Sequence, residues 1–292
     1  MMRLDVTRQV TLKASAGLYH QLPTPFELAN EFGNPKLPLE QGVQGSAGAE
    51  VALARALSLD VQWFGRNTWD IAETAISPLR FLSTSAPRIQ ATGHGRAFGA
   101  EVLLRQQLDK TPFAGSVADA TGLRWGKSFG WLAYTLLRSE ERSDKPTGIP
   151  DGVATGWRST SFDQTHIVSI ALSTELPALP GVGSFELGGA FRYVTGNPAT
   201  LAQGGIYDAD TSRSIRVSEP ELASRLPDFI QLDLRVDKRW RFATWSLSAF
   251  LDLQNATNRQ NYELFQYNHD FTEVQGFPGL PILPVFGAEA SF

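Results

Sequence analysis

The sequence predicts an all-β fold, a transmembrane antiparallel up-and-down β-barrel of which about ten to eleven strands are present. Three observations predict it. Apolar and polar residues alternate with a period of two through most of the chain. The links between the alternating segments are short and long by turns. Capped segments of helical period are missing, and 26 glycines with 17 prolines punctuate the chain too often for long helices. At 292 residues the chain is long enough for one large β domain or two ordinary ones.

The elements follow in order. Leu4 and Val6 alternate with Arg3 and Asp5 as if the sequence opened inside a strand, just before a turn at Thr7, Arg8 and Gln9. Ten full strands are expected after it. Residues 10 to 20 set Val10, Leu12, Ala14, Ala16 and Leu18 against Thr11, Lys13, Ser15 and Gly17. Residues 43 to 53 and 57 to 69 form a hairpin across a very short link, with Val43, Ala47, Ala49 and Val51, then Leu57, Leu59, Val61 and Trp63, on the apolar side. Residues 70 to 92 read as a loop. Residues 95 to 108 put Phe98, Ala100, Val102 and Leu104 opposite Glu101 and Arg105; the strand near 127 to 140 is apolar on both faces, so its outward side stays open. Residues 165 to 175 and 184 to 194 make another hairpin. In 228 to 239 the apolar set is even-numbered and in 244 to 254 it is odd-numbered, so paired residues must sum to an odd number. The link between these two strands must hold an even count of residues.

The last strand lies in LPILPVFGAEASF, residues 280 to 292. Phe286, Ala288, Ala290 and Phe292 share one face, and Gly287, Glu289 and Ser291 the other. Taken alone, this segment reads as the edge strand of a soluble sandwich more readily than as the closing strand of a membrane barrel. The links decide. Those at 7 to 9, 54 to 56, 177 to 183 and 241 to 243 are short, and those at 21 to 42, 70 to 92, 141 to 163, 195 to 227 and 255 to 279 are long; only 109 to 126 breaks the alternation. Sorting short turns to one rim and long loops to the other is a barrel layout, and a sandwich has no reason for it.

Composition agrees. Hydrophobic residues are 42% and charged residues 19%, and no run of eighteen apolar residues occurs, which excludes ordinary transmembrane helices. A net charge of -4 argues against nucleic acid. The absence of cysteine removes disulfides, thiolate catalysis and cysteine metal sites. The N-terminus lacks the apolar core of a secretory signal, which implies a cytoplasmic protein or a sequence that begins within a longer one.

Opposite the apolar faces runs a row of Asp60, Glu101, Arg105, Arg192, Asp233, Arg235, Asp237 and Asp252. In a sandwich these are solvated outer positions. In a barrel they line a wet lumen, and Glu101, Arg105, Arg192, Asp233, Arg235 and Asp252 are the expected lumen-facing polar set. Aromatics near strand ends, Tyr19, Trp63, Trp69, Trp131, Tyr193, Trp240, Trp245 and Phe292, suit interfacial girdles. Ligand contacts are expected in the loop from 255 to 279, where Tyr262, Phe265, Tyr267 and Phe271 are able to stack on a ligand, although a self-packed loop is the simpler reading. The loop from 195 to 227, with Asp208, Asp210, Arg213, Arg216 and Glu219, reads as exposed charge.

No enzyme chemistry is expected. His20, His94, His166 and His269 have no nucleophile placed by pattern, and His166 sits on an apolar strand face beside Val168. Asn268 to Asp270 and Tyr207 to Asp210 lack the spacing of calcium or zinc sites and read as solvated polar loops, so neither metal nor cofactor is assigned.

Residues 226 to 240, LPDFIQLDLRVDKRW, then FLDLQNATNRQNYE at 250 to 263 and GLPILPVFGAEASF at 279 to 292 resemble the last three strands of TonB-dependent outer-membrane receptors, in the same order and at similar spacing. GLYHQLPTPFEL, GNPKLPLE, GAEVLLRQQL and FRYVTGNPAT upstream resemble the receptor barrel as well. The resemblance implies half of a 22-strand barrel, with residues 1–292 its C-terminal portion and the plug domain absent. It implies a component of a transporter in the Gram-negative outer membrane that imports a scarce ligand, a metal chelate, cobalamin or a saccharide, whose identity the sequence leaves open. It also implies outer-membrane lipid as a partner, a barrel-assembly machinery that reads Phe286 and Phe292, and TonB only through the plug. The alternative is a self-contained small β-barrel pore or structural outer-membrane protein. A half barrel leaves two unpaired edges, so the isolated chain is expected as an open curved sheet or a small closed barrel.

Overall fold

Wherever polar and apolar residues alternate, the backbone pairs in antiparallel ladders. The computed structural model describes residues 1–31, 33–54, 56–74, 89–110, 127–143, 156–176 and 184–292. Its first strands are β1 (Met2–Asp5), β2 (Val10–Gln21), β3 (Glu40–Ala54), β4 (Leu57–Thr74), β5 (Ile89–Lys110) and β6 (Lys127–Ser143). The middle of the chain holds β7 (Arg158–Ser159), β8 (His166–Glu175) and β9 (Ser184–Val194), then four short strands, β10 (Pro198–Ala199), β11 (Ala202–Asp208), β12 (Arg213–Ser218) and β13 (Ser224–Arg225). The chain ends with β14 (Phe229–Arg241), β15 (Ser246–Gln254), β16 (Tyr262–Tyr267), β17 (Val274–Pro278) and β18 (Leu283–Ser291).

One sheet runs in the order β1-β2-β3-β4-β5-β6-β8-β9-β14-β15-β18, with β7 attached to the end of β6. This path contains the short N-terminal strand and the ten expected after it. Two of them extend furthest beyond their sequence pattern: β4 reaches Thr74 and β5 starts at Ile89, so parts of the segment read as a loop at 70 to 92 pair instead. The alternation breaks there because the register shifts between Thr68 and Ala72, where Asp70 takes a left-handed φ of 61°. The expected turn at 177 to 183 and most of the links at 70 to 92, 109 to 126 and 141 to 163 lie outside the described residues.

Register carries one set of faces across the whole sheet. Leu12 lies opposite Ala49, Ala49 opposite Val61, Val61 opposite Val102, and Val102 opposite Tyr134. The row continues through Val168, Tyr193 and Ile230. This settles β6: Leu132, Tyr134 and Leu136 join the apolar face, and Phe129, Trp131, Ala133 and Thr135 join the polar one. Two expected girdle aromatics are corrected by the same register. Trp131 lies opposite Arg105, and Tyr19 shares the parity of Lys13, so both project from the polar face.

Among the described residues no second layer covers the apolar face. Among the described residues only Ile89 and Val194 are buried hydrophobics, whereas Leu172 is 62% exposed, Trp63 60% and Phe286 83%. A sandwich interdigitates the inner faces of two sheets into a core, and the described residues form none. The segment at 280 to 292 is therefore no sandwich edge. Along β5 and β6 the apolar band also stops sharply: beyond Phe98 and Leu136 the same face carries Arg96, Arg138 and Glu140, with Arg96 Nε donating to Glu140 at 2.7 Å.

At the opposite end, β14 and β15 are joined by the four residues Phe242 to Trp245, the even count that their parity requires, and the Phe242 N–H donates to the Trp245 carbonyl at 2.8 Å. Phe242 stacks on Trp245 with centroids 4.2 Å apart, and Phe292 on the other neighbour's end lies 6.0 Å from Trp245. Lys238 Nζ sits 4.2 Å over the Phe185 ring. Aromatics and a cation thus gather at the short-turn end of the apolar face.

The long loops at 195 to 227 and 255 to 279 carry regular structure. Residues read as exposed charge at 195 to 227 form two small sheets, β10 with β13 and β11 with β12, and the aromatic loop forms the β16–β17 hairpin.

Candidate ligand site at the long-loop end of the polar face

The six expected lumen residues do share a face. Arg105 lies in a row with Trp131, Ala171, Ala190 and Asp233; Arg192 lies opposite Gln231, and Arg235 opposite Asp252. Glu101 takes the same parity on β5 as Arg105. Many of these side chains and their neighbours are already engaged. Lys13 Nζ bridges Glu50 at 2.7 Å and Asp60 at 2.5 Å, and Arg235 grips Asp237 through two donors at 2.8 Å while its guanidinium stacks 4.1 Å over Phe250. Gln231 donates to both oxygens of Asp233. The face is not uniformly polar either, since Phe129, Trp131, Ala133 and Ala171 form an apolar patch between the charged ends.

Where β9 and β14 enter the long loops, an open cleft of about 260 Å³ is lined by Arg192, Val194, Phe229, Tyr262, Glu263 and the loop residues around Asn197. Arg192 lies 5.7 Å from the Phe229 ring centroid. Gln164 donates to Asn197 at 2.8 Å along one wall. The cleft therefore combines a guanidinium, two aromatic faces, amides and one carboxylate. Such a set can stack a planar group and pair with its negative charge.

The sequence-predicted aromatics divide between two tasks. Tyr262 lines the cleft, tilted against Phe265 with centroids 6.3 Å apart. Tyr267 is committed elsewhere: its hydroxyl oxygen accepts the Ala202 N–H at 3.0 Å, and the Arg216 guanidinium lies 5.4 Å over its ring. Phe271, at a left-handed φ of 60°, packs 6.2 Å from Tyr267. Gly205 of β11 leaves no room for a side chain against the Asp270 backbone, so this close approach needs glycine. Tyr267 and Phe271 thus hold two hairpins together.

The candidate cation segments are turns. Asp208 accepts from the Thr211 hydroxyl at 2.7 Å and the Asp210 N–H at 3.0 Å; Asp270 accepts from the Thr272 hydroxyl at 2.7 Å. These donors pull both carboxyl pKa values down, the Thr211 and Thr272 hydroxyls being the largest causes. Among the described residues no group of three His, Asp or Glu is placed to hold a metal ion. His166 faces Tyr134 on the apolar side, Nδ1 to hydroxyl 2.9 Å.

The residues that fix the cleft were missed by sequence reasoning. Asp163 is fully buried and accepts from Arg225 Nη2 at 2.6 Å, the Ser139 N–H at 2.8 Å and Ser159 Oγ at 3.0 Å. Arg225 also donates to the Gly196 carbonyl at 3.0 Å, which pins the loop base. Asp228 accepts from the Gly196 N–H at 3.0 Å and the Tyr193 hydroxyl at 2.8 Å, and these two donors hold its pKa below the ordinary carboxylate range. Asn261 clamps Ile230 from both sides, donating to its carbonyl at 2.9 Å and accepting its N–H at 3.0 Å. Asn255, 2% exposed at a φ of 47°, donates to the carbonyls of Arg259 and Leu280. The repeated asparagines at 255, 258 and 261 were the available signal, since side-chain amides can replace backbone partners where strands end.

Comparison with known proteins completes the assignment. No curated protein matches the chain. Among solved structures, the pyoverdine receptor FpvA of Pseudomonas aeruginosa is 15% identical with a TM-score of 0.60, over 99% of this chain and 35% of that one. The ferric-catecholate import receptor Fiu of Escherichia coli is 13% identical at a TM-score of 0.58, over 99% and 34%. BauA, the ferric preacinetobactin receptor of Acinetobacter baumannii, is 15% identical at 0.58, over 99% and 35%. At these identities the likeness is one of fold, and the chain spans about a third of each relative's length. The family described as TonB dependent receptor-like, beta-barrel matches residues 2–256, most of the chain. With its large antiparallel sheet, the exposed apolar face of that sheet and that match, the chain belongs to the TonB-dependent receptor β-barrel family.

Proposed function

We propose that residues 1–292 are the C-terminal barrel portion of an outer-membrane receptor that imports an anionic chelate in a Gram-negative bacterium. The observation that carries this reading is the cleft at the long-loop end, which Arg192 lines beside Phe229 and together with Tyr262. A guanidinium over aromatic walls suits a planar ligand with negative charge, such as a metal chelate, better than a neutral saccharide. The polar face then lines the lumen, the apolar face meets lipid, and the charges beyond Phe98 and Leu136 stand outside the hydrocarbon. Phe286 and Phe292 on β18 serve assembly of the barrel. TonB acts through a plug domain supplied by the rest of the receptor. The relatives' names, a pyoverdine receptor and two ferric-chelate receptors, support the ligand class without fixing the ligand.

The test is binding of a panel of ferric catecholate, hydroxamate and citrate chelates to membranes that carry the receptor. One class should bind, and Arg192→Ala should weaken it about ten-fold or more. A charge-assisted hydrogen bond is worth roughly 1.5–3 kcal/mol, and about 1.4 kcal/mol is ten-fold in affinity. Equal affinity in Arg192→Ala would contradict the assignment of this cleft.

A further inference from the structure

A groove interrupts the apolar face near its short-turn end. One row across the sheet reads Leu104, Leu132, Ile170, Phe191 and Leu232, all large. The next row toward the short turns reads Gln106, Gly130, Leu172, Gly189 and Leu234, so two glycines stand on either side of Leu172. The row after it brings Ser128, Thr174 and Leu187 side by side. Together these residues enclose an open space of about 410 Å³. The glycines act differently. A β-carbon at Gly130 would stand 2.5 Å from the Leu172 side chain and 2.8 Å from the Ala171 carbonyl, so Leu172 leans over that position. At Gly189 the nearest atoms are 3.7 Å away, so the missing side chain there leaves room that the strand packing does not use.

The groove is mixed in character. Gln106 Nε2 donates to Ser128 Oγ at 2.7 Å, and Ser128, only 7% exposed, keeps its own proton to donate. Leu172 and Leu187 supply the apolar wall. One row further, Lys238 lies opposite Phe185, with Nζ 4.2 Å over the Phe185 ring and 5.4 Å from that of Trp240. Hydrocarbon alone leaves the amide and hydroxyls unsatisfied, and water alone wets the leucines. An amphiphile satisfies both, and the ammonium at its polar end selects a negative headgroup. We propose that this groove binds one anionic diacyl phospholipid of the periplasmic leaflet, with an acyl chain laid over Gly130 and Gly189 and the phosphate at Lys238. Short turns face the periplasm in such barrels, which places the site in that leaflet. The inference rests on the membrane-spanning reading above.

The test is native mass spectrometry of the full-length receptor, extracted from its outer membrane in mild detergent, delipidated, and titrated with dioleoylphosphatidylglycerol or dioleoylphosphatidylcholine. The anionic lipid should bind as a first, saturable equivalent, more tightly than the zwitterionic one. Lys238→Gln should weaken that equivalent about five-fold, the scale of one lysine at an anionic lipid surface. Gly189→Leu, which fills the groove, should abolish it. Ala100→Leu, on the same face opposite Leu136, is the control and should bind as the unaltered receptor does. Heat-modifiable migration on gels checks that each variant is folded. An unchanged first equivalent in Lys238→Gln overturns the proposal, and so does equal binding of the two lipids. Competition by glycerol phosphate, which has the anion and no acyl chain, also overturns it, since the site would then take a free anion. Recovery of the receptor in the soluble fraction would sink the membrane reading itself, a different failure.

Discussion

Asp228 and Glu219 show how single carboxylates hold the long-loop end. Asp228 accepts from the Gly196 N–H and the Tyr193 hydroxyl, and Glu219 from the Leu201 N–H at 2.7 Å and Ser224 Oγ at 2.8 Å. Each set of donors favours the charged form, led by the backbone N–H in both cases, and both pKa values lie below their ordinary range. A carboxyl with a depressed folded pKa contributes stability that is complete above its unfolded pKa and is lost as pH falls through the folded value. Protection of the Gly196 and Leu201 amides from hydrogen exchange, corrected for intrinsic rates, should thus hold from neutral pH to about 5 and fall only below the ordinary carboxylate range. Loss of protection already between pH 7 and 5 would contradict these roles. Most partnerships at this end were not legible in the sequence, because they join remote residues: Asp228 to Gly196 across 32 positions, Arg225 to Asp163 across 62, Tyr267 to Ala202 across 65. Periodicity reports the face a residue occupies and is silent on what it meets there.

Strand β18 is the element in which sequence and structure agree most closely. Its alternation places Phe286, Ala288 and Ala290 opposite Leu251, Ala249 and Leu247 on the apolar side. On the other side Gly287 leaves space for Phe250, whose ring carbons come within 2.7 Å of where a β-carbon would stand, and Arg235 stacks on that same ring. Phe292 is 97% exposed yet lies against Trp245, so it adds little to packing within the sheet. Phe292→Ala should therefore cost only about 1 kcal/mol in detergent unfolding, the scale of one aromatic pair, while outer-membrane recovery of the receptor falls several-fold. Equal losses in both measurements would mean that Phe292 acts through packing and is no assembly signal. The hairpins β11–β12 and β16–β17 were harder to read. Ile206 and Ile215 alternate with polar residues, but both are more than half exposed and no apolar face distinguishes these strands from loop.

At the scale of the molecule, the fold was legible because one physical rule acts on every strand. A large sheet that the described residues leave uncovered on both faces must present one face to lipid and the other to water, and the period of two writes that rule into each segment. The rule weakened only at β6, apolar on both faces because Phe129, Trp131 and Ala133 contribute to the patch on the polar side. Tyr19 and Trp131 depart from the expected girdle because nearness to a strand end does not identify the lipid face, whereas parity does. The site was less legible than the sheet, since Arg192 and Tyr262 come from elements that only the long-loop end unites.

The central claim is that the two faces meet different solvents. The sequence has no cysteine, so single cysteines can be placed along β14 from Ile230 to Asp237 and exposed, in vesicles, to a water-soluble maleimide. Substitutions at Gln231, Asp233, Arg235 and Asp237 should label at least ten-fold faster than those at Ile230, Leu232, Leu234 and Val236, which lipid shields. Equal labelling of the two sets would contradict the account.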